Sequence, residues 1–352
     1  MEWREPGLIR LNSGKLCIRL VVSMQITNRE RFRAMMDFKP VDRMPVIEPF
    51  NWWTLTLDRW RNEGLPEGVN PVEFFGLDPH HQKWIGPSPD DNPESDDGEW
   101  NVDSFESYNH VKKYLYPAIA FDRNEIEAVK PRSLNGEIFT WITVEGFFWF
   151  PRVLFGIERH LTAFYEQPEL MHAINKDLLA YNKRVISEYC EIFIPDWMTF
   201  AEDMSFNTGS MISHGLINEF MRPYYLELIA HARNCGISYI FIDTDGKHYD
   251  IVSLFHEEIG IDGFVPIERN AGMDLNVLRE KYPRLRMIGG FRKLAMAGSE
   301  RDLVDEFEIA LPAIKTGGIV LGCDHQTPPQ VSLENYKRYV RCLREYASRA
   351  YS

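Results

Sequence analysis

Residues 239–268, YIFIDTDGKHYDIVSLFHEEIGIDGFVPIE, decide the fold. A short apolar run at 239–243 ends on the acidic turn Asp243-Thr-Asp-Gly246, and a second apolar run occupies 263–268 after a helical segment. Short apolar runs bounded by Gly and Asp are typical of strands buried on both faces. Because a helical segment separates them, the two strands are predicted to be parallel.

The same alternation of strand and helix continues along most of the chain. A chain of 352 residues with this pattern predicts a single (β/α)₈ TIM barrel, although an open doubly wound sheet gives the same pattern. The predicted strands are 46–49, 138–144, 196–200, 239–243, 263–268, 285–288 and 318–322, with a weaker eighth at 80–85. The predicted helices include 27–36, 151–164, 168–193, 216–235, 275–281, 301–315 and 333–350.

The barrel domain is predicted to span residues 24–352, preceded by an N-terminal extension at 1–23 for which disorder is one option. The apolar run at 16–24 is short and is interrupted by Arg19, and no small-residue cleavage site follows it. We therefore interpret it as an extension rather than a signal peptide. The first helix is predicted to begin at the capping box formed by Thr27 and Glu30.

Composition excludes several classes of function. The chain has 39 basic and 52 acidic residues, a net charge of −13, and no block of Lys or Arg. Nucleic-acid and anionic-membrane partners are therefore not expected, because both need a basic surface. The five cysteines form no CxxC pair and no run of about 18 apolar residues occurs, so we predict a cytoplasmic protein with free thiols and no membrane span.

Acidic residues follow almost every predicted strand. In a TIM barrel the active site lies at the carboxyl ends of the strands, so these side chains should meet at one mouth. Carboxylates that converge there either shift one another's pKa for acid–base chemistry or hold a cation. The residues in these positions are Glu48, Glu145, Glu202, Asp203, Asp243, Asp245, Glu268 and the group Cys323-Asp324-His325.

Two of these segments carry the predicted chemistry. Asp243 and Asp245 stand two residues apart and can address one point if the chain turns at Gly246, although an Asx turn or helix cap explains them equally well. Cys323 and His325 share a proline-stiffened loop that is compatible with zinc, although single Cys and His residues are more often inert. We predict catalytic roles for Glu202, Asp243, Asp245 and His325, and zinc ligation by Asp243, Asp245 and Cys323.

Aromatic residues also stand just past predicted strand ends. Trp52, Trp53 and Trp149 are predicted to bind a flat substrate together with Glu268, although packing in the core or under a lid is an alternative for the tryptophans. No GxGxxG, P-loop, GxSxG or HExxH motif occurs, which argues against nucleotide-binding, serine hydrolase and zincin chemistries.

An ordered set of short motifs resembles the uroporphyrinogen decarboxylase and cobamide-dependent methyltransferase superfamily. The resemblance spans about 24–346 and implies a TIM barrel with a central cleft. The motifs are NRERFRA at 28–34, PVDRMPV at 40–46, EDM at 202–204, PYY at 223–225, DTDG at 243–246, AGMD at 271–274, IGG at 288–290, GCDH at 322–325, TPP at 327–329 and ENY at 334–336.

The chain departs from the decarboxylases within this superfamily. Those enzymes carry an arginine-rich RQAGRY-type segment after the first strand, where this chain has EPFNWW at 48–53. Their FSDI-type segment is replaced by HHQKWI at 80–85. Because an acidic pocket would repel a polycarboxylate porphyrinogen, the resemblance implies a divergent branch rather than an authentic uroporphyrinogen decarboxylase.

The chain also departs from the cobamide methyltransferases, whose zinc ligands come from a His-x-Cys-Gly motif and a later Gly-Cys. Here Asp243-Thr-Asp-Gly246 replaces the first motif and Cys323 matches the second. The resemblance implies a corrinoid-dependent methyltransferase of the O-demethylating type, with zinc and with cobalamin either free or on a corrinoid protein. The alternatives are an acid–base decarboxylase or lyase acting on a small cyclic or tetrapyrrole-related substrate, and a non-catalytic binding barrel.

Overall fold

The sheet at the centre of the molecule is parallel and consists of seven strands. The computed structural model describes residues 26–351, so the predicted extension at 1–23 lies outside the described residues. The strands of this sheet are β1 (His80–Ile85), β2 (Phe139–Glu145), β3 (Trp197–Ala201), β6 (Tyr239–Asp243), β7 (Gly263–Ile267), β8 (Arg286–Phe291) and β9 (Ile319–Cys323), and β4 (Ser205–Phe206) pairs with β5 (Gly209–Ser210) in a small separate hairpin.

The strand order in the sheet is β1-β2-β3-β6-β7-β8-β9, which follows the chain. Every neighbouring pair is parallel, so the carboxyl ends of all seven strands lie at one edge. The α/β class and the TIM-like arrangement are therefore confirmed, including the weaker predicted strand at 80–85. The residues described by the structure do not complete a count of eight strands.

The predicted strand at 46–49 is wrong. This segment contacts both edges of the sheet, because the Val46 carbonyl accepts from the Asp78 N–H at 2.8 Å and the Leu321 N–H points to the Met44 sulfur at 3.1 Å. It forms no strand ladder. Prolines at positions 45 and 49 remove two of the N–H donors that a ladder needs.

Helices cover the outside of the sheet. The predicted helix at 151–164 is two helices, since Gly156 adopts a positive φ of 76° between them, and the predicted helix at 216–235 is also two, the second with Pro223 in its first turn. The helices are α1 (Asn28–Met36), α2 (Thr54–Asn62), α3 (Pro71–Phe74), α4 (Phe105–Val111), α5 (Arg123–Leu134), α6 (Trp149–Phe155), α7 (Ile157–Glu166), α8 (Pro168–Ile192), α9 (His214–Phe220), α10 (Arg222–Asn234), α11 (Tyr249–Ser253), α12 (Leu275–Lys281), α13 (Glu300–Ile314) and α14 (Leu333–Arg349).

Local sequence signals explain where several helices begin. The Thr27–Glu30 capping box is present, and α1 follows it as predicted. All residues of β2, β3, β7 and β9 are buried, as expected for strands covered on both faces. Among residues 26–351, no helix combines the length and apolar character needed to cross a membrane.

The acidic, proline-rich segment at 87–98 is irregular and follows β1 directly. Glu94 anchors it by accepting from His110 and from Lys113, both at 2.7 Å. The segment therefore lies at the carboxyl edge of the sheet, where its residues 88–90 line a pocket.

Candidate active site

Two acids stand at the same level of the sheet edge. In the parallel register Glu145 of β2 pairs with Ala201 of β3, and Ala201 pairs with Asp243 of β6. Registered residues on parallel neighbours point to the same face of a sheet. The small Ala201 side chain between the two acids leaves room for a ligand.

A cleft of about 290 Å³ opens beside Asp243 at this edge. All four predicted catalytic residues line it. Asp243, Asp245 and His325 are partly exposed, and Glu202 is buried. The residues that line it are Phe50, Trp84, Trp149, Ala201, Glu202, Asp203, Asp243, Asp245, His325 and Gln326.

Among the acids that line the cleft, Asp243 has the fewest hydrogen-bond and ion-pair partners for its carboxyl group. Its side chain forms no hydrogen bond with any residue in 26–351 and is only partly exposed. Burial raises the pKa of Asp243 to about 8, the negative charges of Asp245 and Asp203 add to the rise, and His325 opposes it. A carboxyl group with this pKa is protonated at neutral pH and can act as a general acid.

Asp245 and His325 form the second element of the cleft. The His325 Nε2 lies 3.4 Å from the Asp245 Oδ2, and the imidazole stacks on Phe50 with ring centroids 5.6 Å apart. The hydrogen bond to Asp245 raises the pKa of His325 above its ordinary value, against the effect of burial, and so favours the charged imidazolium.

Glu268 does not line the cleft but contacts the turn that carries Asp245. It accepts from the Gly246 N–H at 2.8 Å and pairs with Lys293 at 3.1 Å. Gly246 has a positive φ of 76°, and a side chain there would strike the backbone of the β4 hairpin. The turn that presents Asp245 is therefore fixed, and the substrate-binding role of Glu268 stays a prediction.

Asp203 also lines the cleft. It stands at a predicted strand end but is not among the predicted catalytic, substrate-binding or metal residues. It adopts a left-handed conformation with φ 39°, which is uncommon outside glycine and costs conformational energy. Its carboxylate lies 3.2 Å from the Arg152 Nη1. Burial and the charge of Asp245 raise the pKa of Asp203. The signal that could have identified it is its position directly after Glu202.

The carboxyl group of Glu202 is used in hydrogen bonds to the backbone. It is fully buried and accepts from the N–H groups of Phe147, Phe148 and Trp149 at 2.8–2.9 Å, and from the Tyr225 hydroxyl. It thereby caps the start of α6. Burial raises the pKa of Glu202 to about 8, against the three N–H donors. Its predicted catalytic role is not needed to explain these contacts.

The predicted substrate-binding tryptophans separate into three environments. Trp149 lines the cleft. Trp52 is buried and packs edge-on against Trp60 and Tyr336, so it belongs to the core, which was the alternative considered for it. Trp53 is 44% exposed at the start of α2 and does not line the cleft. Trp84, which faces the cleft from β1, was missed because its strand was the weakest of those predicted.

Two of the three predicted zinc ligands, Asp243 and Asp245, line the same cleft, whereas Cys323 does not. Within residues 26–351 no three His, Cys, Asp or Glu side chains converge as a metal site. Cys323 is fully buried next to Glu48, Asp324 and Thr327 and does not line the cleft that contains Asp243 and Asp245. The donor set of Asp243, Asp245 and Cys323 therefore does not fit zinc.

A second and larger pocket of about 790 Å³ adjoins the cleft, and Trp84 and Trp149 belong to the walls of both. Glu145 lies in it with only 9% of its surface exposed. Burial raises the pKa of Glu145 to about 7, and the Trp84 indole opposes the rise. Trp84 and Trp149 therefore stand between a pocket that contains Glu145 and a cleft that contains Asp243.

Most of the chain matches one known protein family. Residues 104–346, more than half of the chain, match the model of uroporphyrinogen decarboxylase (URO-D). The chain belongs to this family. The matched residues include Glu145, Asp203, Asp243, Asp245 and His325, and they begin after 48–53, where the decarboxylase arginine segment is replaced.

One solved structure shares the fold of this chain over nearly its whole length. A methyltransferase from Methanosarcina mazei is 16% identical, with a TM-score of 0.64 over 92% of this chain and 99% of that chain. The pneumococcal virulence factor StrH is 11% identical, with a TM-score of 0.42 over 91% of this chain and 86% of that chain. No sequence among the curated proteins matches the chain.

Proposed function

We propose that this member of the family is an enzyme that removes a methyl group from a small ether-type substrate, with Asp243 as the general acid. The observation that supports the proposal is the Asp243 carboxyl group, which lines the cleft without a hydrogen-bond partner among residues 26–351 and has a pKa raised to about 8. Protonation of a leaving oxygen needs a neutral acid at this position.

The proposed step breaks the bond between the methyl carbon and the substrate oxygen. The oxygen keeps the bonding electrons and takes the proton of Asp243, so an alcohol or phenol leaves and Asp243 becomes a carboxylate. The methyl group passes to an acceptor that supplies the electron pair of the new bond. His325, held by Asp245, stabilises the Asp243 carboxylate by its positive charge.

The acceptor implied by the resemblance is a corrinoid, free or on a partner protein, which would supply the nucleophilic metal centre. The two pockets, of about 290 and 790 Å³, have the volumes of small-molecule sites, so they suit the substrate rather than the macrocycle. Because the zinc ligand set does not fit, the leaving oxygen is activated by the Asp243 proton in this proposal.

Decarboxylation is the second candidate, since the same neutral Asp243 could protonate a carbanion. The charges of the cleft disfavour it. His325 is the only basic residue among the described residues that line the cleft, and it is paired with Asp245. Arg152 lies outside the lining and is paired with Asp203, so neither is free to bind a substrate carboxylate.

The proposal is tested by following methylcobalamin formation from cob(I)alamin with methoxylated aromatic compounds. We expect Asp243→Asn to lower the rate by at least about 100-fold, the usual contribution of a general acid. Asp305→Asn, which removes an exposed aspartate on α13, should leave it unchanged. Carbon dioxide release from carboxylated analogues without methyl transfer would instead establish the decarboxylase.

A further inference from the structure

The second pocket contains a carboxylate oxygen that lacks a partner. The Glu145 Oε2 is buried and forms no hydrogen bond within the described residues, although Glu145 lines a pocket of about 790 Å³. A buried acceptor without a donor costs free energy, because it has lost its hydrogen bonds to water. Glu145 is therefore poised to accept a hydrogen bond from a ligand.

The charge of this pocket is negative. Glu145 and Asp90 line it, and none of its eleven described lining residues is Lys, Arg or His. The cations closest to its lining residues are paired elsewhere: Lys113, 4.9 Å from the Tyr114 ring centroid, pairs with Glu94. Arg184, which donates to the Pro117 carbonyl, pairs with Glu188, and Arg152, 5.0 Å from the Trp149 ring centroid, pairs with Asp203 of the neighbouring cleft. A ligand that satisfies Glu145 and balances this charge must bring a positively charged donor.

The walls of the pocket are aromatic. Trp84, Tyr114 and Trp149 line it, and Trp84 is 48% exposed. Indole faces attract organic cations and stack on flat rings. Since Trp84 and Trp149 also border the Asp243 cleft, one ligand can extend along them from one acid to the other.

We infer that the second pocket binds a protonated primary amine on the substrate, with its N–H groups donating to Glu145 and its body against Trp84 and Trp149. This inference rests on the proposed function, because it places the reacting ether at Asp243 and the ammonium about two strand spacings away. The ammonium favours the charged form of Glu145, whose pKa burial holds at about 7. Binding near neutral pH therefore releases protons from the protein.

The test is calorimetric titration with 4-methoxyphenethylamine and with the neutral 4-methoxyphenethyl alcohol, at pH 7 in two buffers of different ionisation enthalpy. We expect the amine to bind at least tenfold more tightly than the alcohol, with an observed enthalpy that depends on the buffer. Glu145→Gln should lower amine affinity at least tenfold, abolish the buffer dependence and leave alcohol affinity unchanged. Glu127→Gln, at an exposed site on α5, should change none of these quantities.

Equal affinity for the two compounds, undetectable binding of the amine to the wild type, or unchanged amine affinity in Glu145→Gln would each overturn the inference. Thermal unfolding of the variant checks that it folds. These binding measurements require no turnover. Loss of methyl transfer in Asp243→Asn together with any of these results would therefore refute the amine subsite and leave the proposed function standing.

Discussion

Glu145 and Asp243 lie at the same level of the parallel sheet, each in register with Ala201 on the strand between them. Strands are about 4.8 Å apart, so the two Cα atoms are separated by about 10 Å along the hydrogen-bonding direction. Burial raises the pKa of both carboxyl groups, to about 7 and about 8. One small substrate can therefore contact a different acid at each of its ends.

Asp243→Asn should stabilise the protein while it removes activity. Because the pKa of Asp243 is raised when the protein folds, the native state holds this proton at pH values where the unfolded chain has lost it, and wild-type stability falls as pH rises from about 4 to about 8. Denaturant unfolding should show a gain for the variant that grows over this interval and reaches about 1–3 kcal/mol. Asp305→Asn should show no such trend, and a variant less stable than wild type at pH 8 would contradict the assignment.

The Asp245–His325 pair also stabilises the protein less as pH rises. The folded pKa of His325 is raised, so its contribution is complete below the ordinary imidazole pKa and is lost as pH rises through the folded value. We expect His325→Asn to lower the free energy of unfolding by up to about 1 kcal/mol at pH 5.5 and by less at pH 9. Equal losses at both pH values would indicate that stacking on Phe50, rather than the charge, is responsible.

Glu202 tests the distinction between a structural and a catalytic acid. Glu202→Ala leaves the buried N–H groups of Phe147, Phe148 and Trp149 without their acceptor and should lower the free energy of unfolding by about 3–5 kcal/mol. Glu202→Gln keeps one carbonyl oxygen and should lose less. Methyl transfer per folded molecule should survive in Glu202→Gln, and its complete loss would return Glu202 to the catalytic group.

Cys323 provides the corresponding test of the zinc ligands. Because the thiol is buried beside Glu48 and Asp324, away from the Asp243 cleft, Cys323→Ala should change stability by about 1 kcal/mol and leave the metal content of the protein unchanged. Elemental analysis of the wild type and the variant measures this directly. One equivalent of zinc that disappears in Cys323→Ala would restore the predicted zinc site.

The fold could be predicted from the sequence because buried parallel strands and amphipathic helices leave local patterns. The weak strand β1 was recognisable, and the Thr27 capping box set the start of α1 correctly. The segment at 46–49 misled the prediction because its apolar residues resemble a strand, whereas its flanking prolines deny it a ladder. Periodicity reports burial, and only backbone hydrogen bonding distinguishes a strand from an extended segment.

The sequence predicts where the site lies, but it predicts the roles of only some of its residues. Asp243, Asp245 and His325 lie in one cleft, as expected for strand-end residues of parallel strands. Glu202 and Glu268 stand in equivalent positions along the chain, yet their carboxylates accept backbone N–H groups, a difference that depends on side-chain direction. The contribution of Trp84 depends on the neighbouring strand and leaves no local signal in the sequence.

The central claim is that Asp243 donates a proton to the leaving oxygen, and the pH dependence of methyl transfer tests it most directly. With 4-methoxyphenethylamine and cob(I)alamin, kcat/KM of the wild type should fall tenfold per pH unit above about pH 8, as Asp243 loses its proton. Asp243→Asn should retain a small residual rate without this alkaline limb. An alkaline limb that persists unchanged in Asp243→Asn, or a variant as active as the wild type, would contradict the account.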